Sequence, residues 1–268
     1  MTNIESLGTA VITGASAGIG ATYARRLAHR GYDVVLVARN EERLKKLAAE
    51  ITVDTGRSAE FVVADLANQA DVARVAALLR ADERITLLVN NAGIARLSPL
   101  ETAEPDDSVL MIDLNITALT QLSQSVLPGF IARERGGIVN IASAMALWAM
   151  SSSAVYSGTK AYVLMLTRGI AEEVAGKGIQ VQAVLPGAIR TDLWNDSGVS
   201  LDQFPDSMVM SVDDVVDAAL AGWDRGELIT IPSLEDAEAW DAFEAQRTSM
   251  IPGLSLNRPA SRYLQTVS

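Results

Sequence analysis

The chain has no cysteine, one histidine and only four lysines among its 268 residues. The missing cysteine excludes disulfides, thiolate metal sites and cysteine nucleophiles, and suits a reducing compartment such as the cytoplasm. His29 lies in the polar run "ARRLAHRG" near an expected helix end and reads as a solvated cation. One histidine in that position supports neither a histidine-rich metal site nor a catalytic triad, so no metal is expected. Acidic residues outnumber basic ones 33 to 22, for a formal net charge of −11. Nucleic acid is therefore not an expected partner, because no basic surface is available to displace its counterions. No apolar run reaches the roughly 18 residues of a membrane-spanning helix. The opening "MTNIESLGTAVIT" lacks the basic flank and apolar stretch of a signal peptide. A small molecule is the expected partner.

What the sequence does contain is an alternation of short apolar runs with segments of helical period. Strands are predicted at 9–13, 33–38, 60–64, 86–90, 137–143, 180–186 and 228–231. Helices are predicted at 18–30, 41–54, 69–82, 154–175 and 212–224, with a long one from 106 to about 135 that Pro128 breaks or bends. Nearly all the strands lack polar alternation, which implies burial on both faces. The expected fold class is α/β: a Rossmann-like, doubly wound, seven-stranded parallel sheet with helices on both faces. Residues 1–268 are expected to form one domain, with 232–268 as a C-terminal appendage.

Between the first strand and first helix stands "TGASAGIG", residues 13–20. Gly14, Gly18 and Gly20 allow a tight turn and close approach of a pyrophosphate to the unpaired N–H groups of a helix start. The second strand ends at Ala38, where an acid would bind a ribose 2′-hydroxyl, and Arg39 follows. Asp33 is acidic but begins that strand, at the wrong end of the sheet. A planar guanidinium suits a 2′-phosphate, so NADP (NADPH) is the expected cofactor, with Ser16 and Arg43 as secondary phosphate contacts.

Further along, "YSGTK" places Tyr156 four residues before Lys160. Composition alone predicts about 0.07 such pairs in a chain like this. Read in isolation the pair is an i,i+4 contact on a helix surface. Together with the glycine turn it resembles the short-chain dehydrogenase/reductase family, in its shorter single-domain branch. The resemblance is dense from residue 8 to about 192. It is carried by "TGASAGIG", "ADL" (64–66), "NNAG" (90–93), Asn115 in "IDLNITAL", Ser143 at the end of the fifth strand, "YSGTK", and "PGAIRTD" (186–192).

The resemblance implies a catalytic set of Asn115, Ser143, Tyr156 and Lys160. Tyr156 is then the general acid in reduction and the base in oxidation. A phenol with an ordinary pKa of about 10 needs a nearby ammonium to favour its ionised form, and Lys160 stands one helical turn away. Ser143 holds the substrate oxygen, and Asn115 anchors a water that links Lys160 to solvent. Cofactor contacts fall on Gly14, Ser16, Gly18, Ile19, Gly20, Arg39, Asp65 and Leu66, with Asn90, Asn91, Ala92 and Gly93 along the cofactor's floor. Tyr156 and Lys160 add to these, and Pro186, Gly187, Ile189 and Thr191 meet the nicotinamide end.

In the family the substrate pocket is built by the loop after the serine, the segment after Pro-Gly, and the C-terminus. Here the first two are "AMALWAM" (144–150) and 193–210, rich in Met, Leu, Trp and Phe. They imply an apolar carbonyl or secondary alcohol as substrate. The C-terminus departs from the family's glycine-rich ending, which argues for a homodimer over a tetramer. The alternative is an NADP(H)-binding sensor or scaffold of the same fold, but a binder without turnover has no need of the proton-transfer set.

Overall fold

Unbroken apolar runs become strands whose two faces are both covered. A computed structural model describes residues 7–264. The chain divides into two compact units, Met1–Pro232 and Ser233–Ser268.

In the first unit the strands β1 (Thr9–Thr13), β2 (Asp33–Ala38), β3 (Ala59–Val63), β4 (Ile85–Asn90), β5 (Gly136–Ile141) and β6 (Ile179–Val184) alternate with helices. The helices are α1 (Gly18–His29), α2 (Glu41–Thr55), α3 (Gln69–Ala81), α4 (Pro105–Ile112), α5 (Leu119–Ala132), α6 (Ala154–Glu173) and α7 (Val212–Asp224). Two further two-residue strands, β7 (Ala188–Ile189) and β8 (Val209–Met210), pair with each other, and β9 (Ile229–Thr230) completes the main sheet. That sheet has seven strands in the order β3-β2-β1-β4-β5-β6-β9, every pairing parallel. The expected doubly wound, Rossmann-like fold is what forms. The order reverses between β1 and β4, and ligands of such sheets bind in the crevice beyond the carboxyl ends of the strands at that point.

Two apolar layers clamp the sheet. On one face Ala10, Ile12 and Leu36 pack with Leu27 of α1, Leu44 of α2 and Val216 of α7. On the other Val11, Val35 and Leu88 meet Val72 and Val75 of α3, Leu122 and Phe130 of α5, and Ile170 of α6.

The long helix expected from 106 to 135 is composite. α4 passes into a π-helical segment, Asp113–Ala118, before α5 begins, and Pro128 lies inside α5 without ending it. The irregularity therefore sits around Asn115 and not at the proline. A π turn is a single-residue insertion into the helical ladder and leaves no mark in the apolar period.

The second unit contains α8 (Ala237–Ser249), N-capped by Asp236, whose carboxylate accepts from the Ala239 N–H. Trp240 and Phe243 stack with ring centroids 5.4 Å apart. No residue of α8 is buried. Among the described residues no helix is long and apolar enough to cross a membrane.

Candidate active site

β1 ends in a turn whose geometry only glycine supplies. Gly14 has φ +65 and Gly18 φ +53, both in the left-handed region. A Cβ on Gly14 would stand 2.7 Å from Asn91 Nδ2 and 2.9 Å from Ala92 Cα. The "NNAG" segment after β4 is thus packed directly against the nucleotide turn. Asn91 Nδ2 donates to the Thr13 and Gly14 carbonyls at 2.9 and 3.2 Å, and Thr13 Oγ1 accepts from the Asn91 and Ala92 N–H groups, each at 3.0 Å. Asn91 acts here as a brace for the turn. A Cβ on Gly20 would collide with the Gly14 carbonyl oxygen and approach Asn91 Nδ2 to 2.5 Å. Gly20→Ala is therefore expected to destabilise the fold by about 1–3 kcal/mol, read as a lower urea midpoint with an unchanged m-value.

The start of α1 beside this turn has no side-chain cap and no acid in its first turn, whereas α2, α3 and α7 are capped by Asn40, Asn68 and Ser211. Open N–H groups and the positive end of a helix dipole fit a pyrophosphate. Ser16 and Ile19 are half-buried in the same turn. At the end of β2, Arg39 is exposed with no carboxylate on the strand end. Beyond β3, Asp65 Oδ1 accepts from the Ala67 N–H, the Asp65 N–H donates to Asp71, and Leu66 is buried. The uncapped helix start fits a dinucleotide's pyrophosphate, and the end of β2 presents a guanidinium where no carboxylate stands.

The groups expected to react lie beyond this turn. α6 carries Tyr156 and Lys160, both buried, with Lys160 Nζ 5.7 Å from the centre of the tyrosine ring. Ser143 caps the short 3-10 turn Ala144–Ala146 through the Met145 N–H, and its hydroxyl is near enough to Tyr156 to favour the ionised phenol. The Ala144 N–H donates to the Pro186 carbonyl at 2.8 Å, which sets the Pro186-Gly187 turn beside the serine loop. A Cβ on Gly93 would lie 3.1 Å from Asn115 Oδ1 and 3.6 Å from Lys160 Nζ. One on Gly18 would meet Thr191 Cγ2 at 3.4 Å, and one on Gly187 would face open space. The glycine turn is thus packed against the "NNAG" segment and Thr191, and Gly93 of that segment against Asn115 and Lys160.

Two expectations change in detail. Burial pushes the Tyr156 phenol up to about 12, and the neighbouring Ser143 hydroxyl only partly offsets this. Burial also pulls the Lys160 ammonium down to about 8, and its Nζ donates to the Ile141 carbonyl at 3.0 Å. Asn115, in the π segment, accepts from the Ile94 N–H and donates to the Ile94 carbonyl and Thr159 Oγ1. Both of its amide protons are thereby engaged within the protein.

Asn90 does not reach the cofactor's floor: its Nδ2 donates to Ser123 Oγ and Asn140 Oδ1, within the sheet and the helix behind it. Tyr162, read as structural, pairs its hydroxyl with Thr120 Oγ1 at 3.1 Å. Thr13 was missed, although it opens the glycine motif. Arg96 was also missed. It ties the loop after β4 to the loop after β7 by donating to the Asp196 carbonyl at 2.7 Å, beside the Leu97 N–H bond to the Ser197 carbonyl. Such contacts join residues about a hundred positions apart and leave no local pattern. Among the described residues no cluster of His, Asp or Glu could hold a metal ion.

The short chain dehydrogenase family model matches residues 8–200. A short-chain dehydrogenase from Sphingobium yanoikuyae, solved in complex with NADPH, is 45% identical with a TM-score of 0.92 over 96% of this chain and 100% of that one. The bulky-bulky ketone specific alcohol dehydrogenase from Comamonas testosteroni is 39% identical with a TM-score of 0.89, over 97% and 100%. Among curated proteins, the very-long-chain 3-oxoacyl-CoA reductase of Anas platyrhynchos is 38% identical over 199 residues, 72% of this chain. The match spans 64% of that relative's length, less than two thirds. With the family model matching over residues 8–200 and relatives of this identity sharing the fold, the chain belongs to the short-chain dehydrogenase/reductase family of oxidoreductases.

Proposed function

We propose that the chain is an NADP(H)-dependent oxidoreductase that interconverts a carbonyl and a secondary alcohol on a bulky, apolar small molecule. The observation that carries this reading is the buried Tyr156, beside Ser143 and within an apolar wall. Ala95, Leu97 and Met111 pack around Tyr156, with Met145, Met150, Val155, Trp194 and Val199 half-buried at the margin. Leu147 and Trp148 are exposed on the adjoining loop. Two arginines of the neighbouring loops are paired, Arg96 with Asp107 at 3.4 Å and Arg190 with Asp206 at 3.6 Å. An uncharged substrate suits such a surface. The ketone specificity of the Comamonas testosteroni relative agrees with it.

When bound, NADPH supplies the hydride; the protein supplies position and proton. Ser143 orients the substrate oxygen toward Tyr156. The high affinity of the buried phenol for its proton keeps Tyr156 in the donor form at neutral pH, which suits the direction of reduction. Lys160, within one helical turn, places a positive charge beside the phenolate that forms and stabilises it. Gly14, Gly18, Gly20 and the start of α1 would hold the pyrophosphate, and Arg39 would supply the cation for a 2′-phosphate. The same reading includes a homodimer, supported by exposed apolar side chains on α4 and α6: Val109, Ile112, Tyr162 and Met165.

The test is NADPH oxidation across a panel of ketones and aldehydes of graded size, beside direct titration with both cofactors. Turnover is expected to favour large apolar ketones, with NADPH bound at least about 10-fold more tightly than NADH, as one charge-assisted phosphate contact provides. Binding of NADPH without turnover of any carbonyl would instead favour the sensor reading. Tighter binding of NADH would overturn the role of Arg39.

A further inference from the structure

Arg43 stands in the first turn of α2, directly after the carboxyl end of β2, where the adenosine ribose of a dinucleotide lies in this fold. Its main-chain N–H is held by Asn40 Oδ1 at 2.9 Å, which fixes the base of the side chain. Its guanidinium reaches across the crevice, and Nη1 donates to Asp192 Oδ2 at 3.2 Å. Asp192 follows Thr191, the residue that faces Gly18 of the nucleotide turn, and it begins the 3-10 turn Asp192–Asp196 that leads into the 193–210 loop. Arg43 and Asp192 are both more than half exposed. A pair so solvated contributes about 0–1 kcal/mol to folding, so stability gives little reason for a contact that spans 149 residues.

Resting on the NADP(H) reading above, we infer that Asp192 is a specificity-determining residue: through Arg43 it sets how strongly the 2′-phosphate is preferred. A carboxylate and a phosphate dianion draw on the same guanidinium. Arg43 presents five N–H donors, and one of its terminal nitrogens is directed at Asp192. Asp192 therefore limits the charge that Arg43 offers to the 2′-phosphate and adds a repulsion of its own. NADH has no phosphate at that carbon and feels neither effect directly. The pair also links the cofactor's 2′ position to the first residue of the 193–210 loop.

The experiment is fluorescence titration of the full-length protein with NADPH and with NADH, for the wild type, Asp192→Asn, Arg43→Gln and the double variant. The quantity read is the ratio of the two dissociation constants within each sample, which a partly unfolded fraction does not change. Asp192→Asn is expected to tighten NADPH about 3- to 10-fold, the effect of removing one like charge a few ångströms away in a solvated site. NADH should change by less than about twofold. Arg43→Gln is expected to weaken NADPH selectively and to shrink the effect of Asp192→Asn in the double variant to what direct repulsion alone leaves. Equal shifts for both cofactors, an unchanged ratio, or an effect of undiminished size without Arg43 would overturn the inference. With wild-type NADPH preference intact, those results leave the proposed function standing. A wild type that prefers NADH removes the NADP(H) reading and this inference with it.

Discussion

Tyr156→Phe is expected to lower turnover about 10²- to 10⁴-fold, the usual contribution of a positioned general acid. The change deletes one oxygen and keeps the ring that packs against Ala95, Leu97 and Met111. Binding of NADPH should therefore stay within about twofold of wild type, because the pyrophosphate and 2′-phosphate contacts lie on other elements. The effect should appear in kcat and in kcat/KM alike, since the lost hydrogen transfer belongs to the transition state. Steady-state kinetics on any accepted ketone, with a cofactor titration on the same sample, measures both. Undiminished turnover would remove Tyr156 from the mechanism, and a lost cofactor affinity would show that the ring itself shapes the nicotinamide site.

Lys160→Met should separate activity from stability in opposite directions. The Lys160 ammonium is buried, and that burial pulls it down to about 8 from the ordinary lysine value. A lowered lysine means that folding disfavours the charged form, so the cost is present below about pH 8 and fades as the pH rises toward the unfolded value. In that window the unfolded chain binds the proton that the folded one has released, and stability from this residue rises with pH. Methionine fills similar space without a charge. At pH 7 the variant is expected to be more stable by about 1–3 kcal/mol, the range allowing for the lost bond to the Ile141 carbonyl. Turnover should fall on the order of 10²-fold or more, because the phenolate formed at Tyr156 loses its neighbouring cation. Urea unfolding at pH 7 and pH 9.5 checks the first part: the advantage should shrink at the higher pH. Wild-type reduction should likewise decline above about pH 8 as Lys160 discharges. A variant less stable than wild type at pH 7 would mean that the bond to Ile141 outweighs the desolvation of the ammonium.

The strands were legible because each is a short apolar run bounded by turn residues, and a parallel sheet needs no more than that. β1, β2 and α7 occupy the ranges expected, and the others shift by a residue or two at their ends. β7 and β8 escaped notice, since two residues carry no period. The composite nature of α4 and α5 was hidden for a related reason. Helical spacing of the buried positions continues through the π segment from Met111 to Phe130, so only the family resemblance, which puts a helix-bending asparagine at Asn115, pointed to it.

At the site, the three glycines of the nucleotide turn could be named from residue type and spacing, and Tyr156, Lys160 and Ser143 from the family resemblance that their order in the chain supports. Glycine declares its backbone freedom in the sequence, and an i,i+4 pair on a helix is a local relation. Their surroundings could not be named. That burial would raise the Tyr156 phenol and lower the Lys160 ammonium depends on how α6 packs against β5 and the serine loop. Asn90 and Asn91 are adjacent and chemically identical. Because successive residues leave a strand in opposite directions, one braces the nucleotide turn and the other enters the sheet's internal hydrogen bonds.

By itself, then, the sequence determined the parallel α/β sheet and the place of the nucleotide turn, because these follow from local period and glycine, and its resemblance to a family named the candidate proton-transfer groups. Only the tertiary structure decided the protonation behaviour of Tyr156 and Lys160, the commitment of Asn115 to Ile94 and Thr159, and the meeting of Arg43 with Asp192. Desolvation and pairing across the crevice are properties of the packed whole, and no stretch of chain contains both partners.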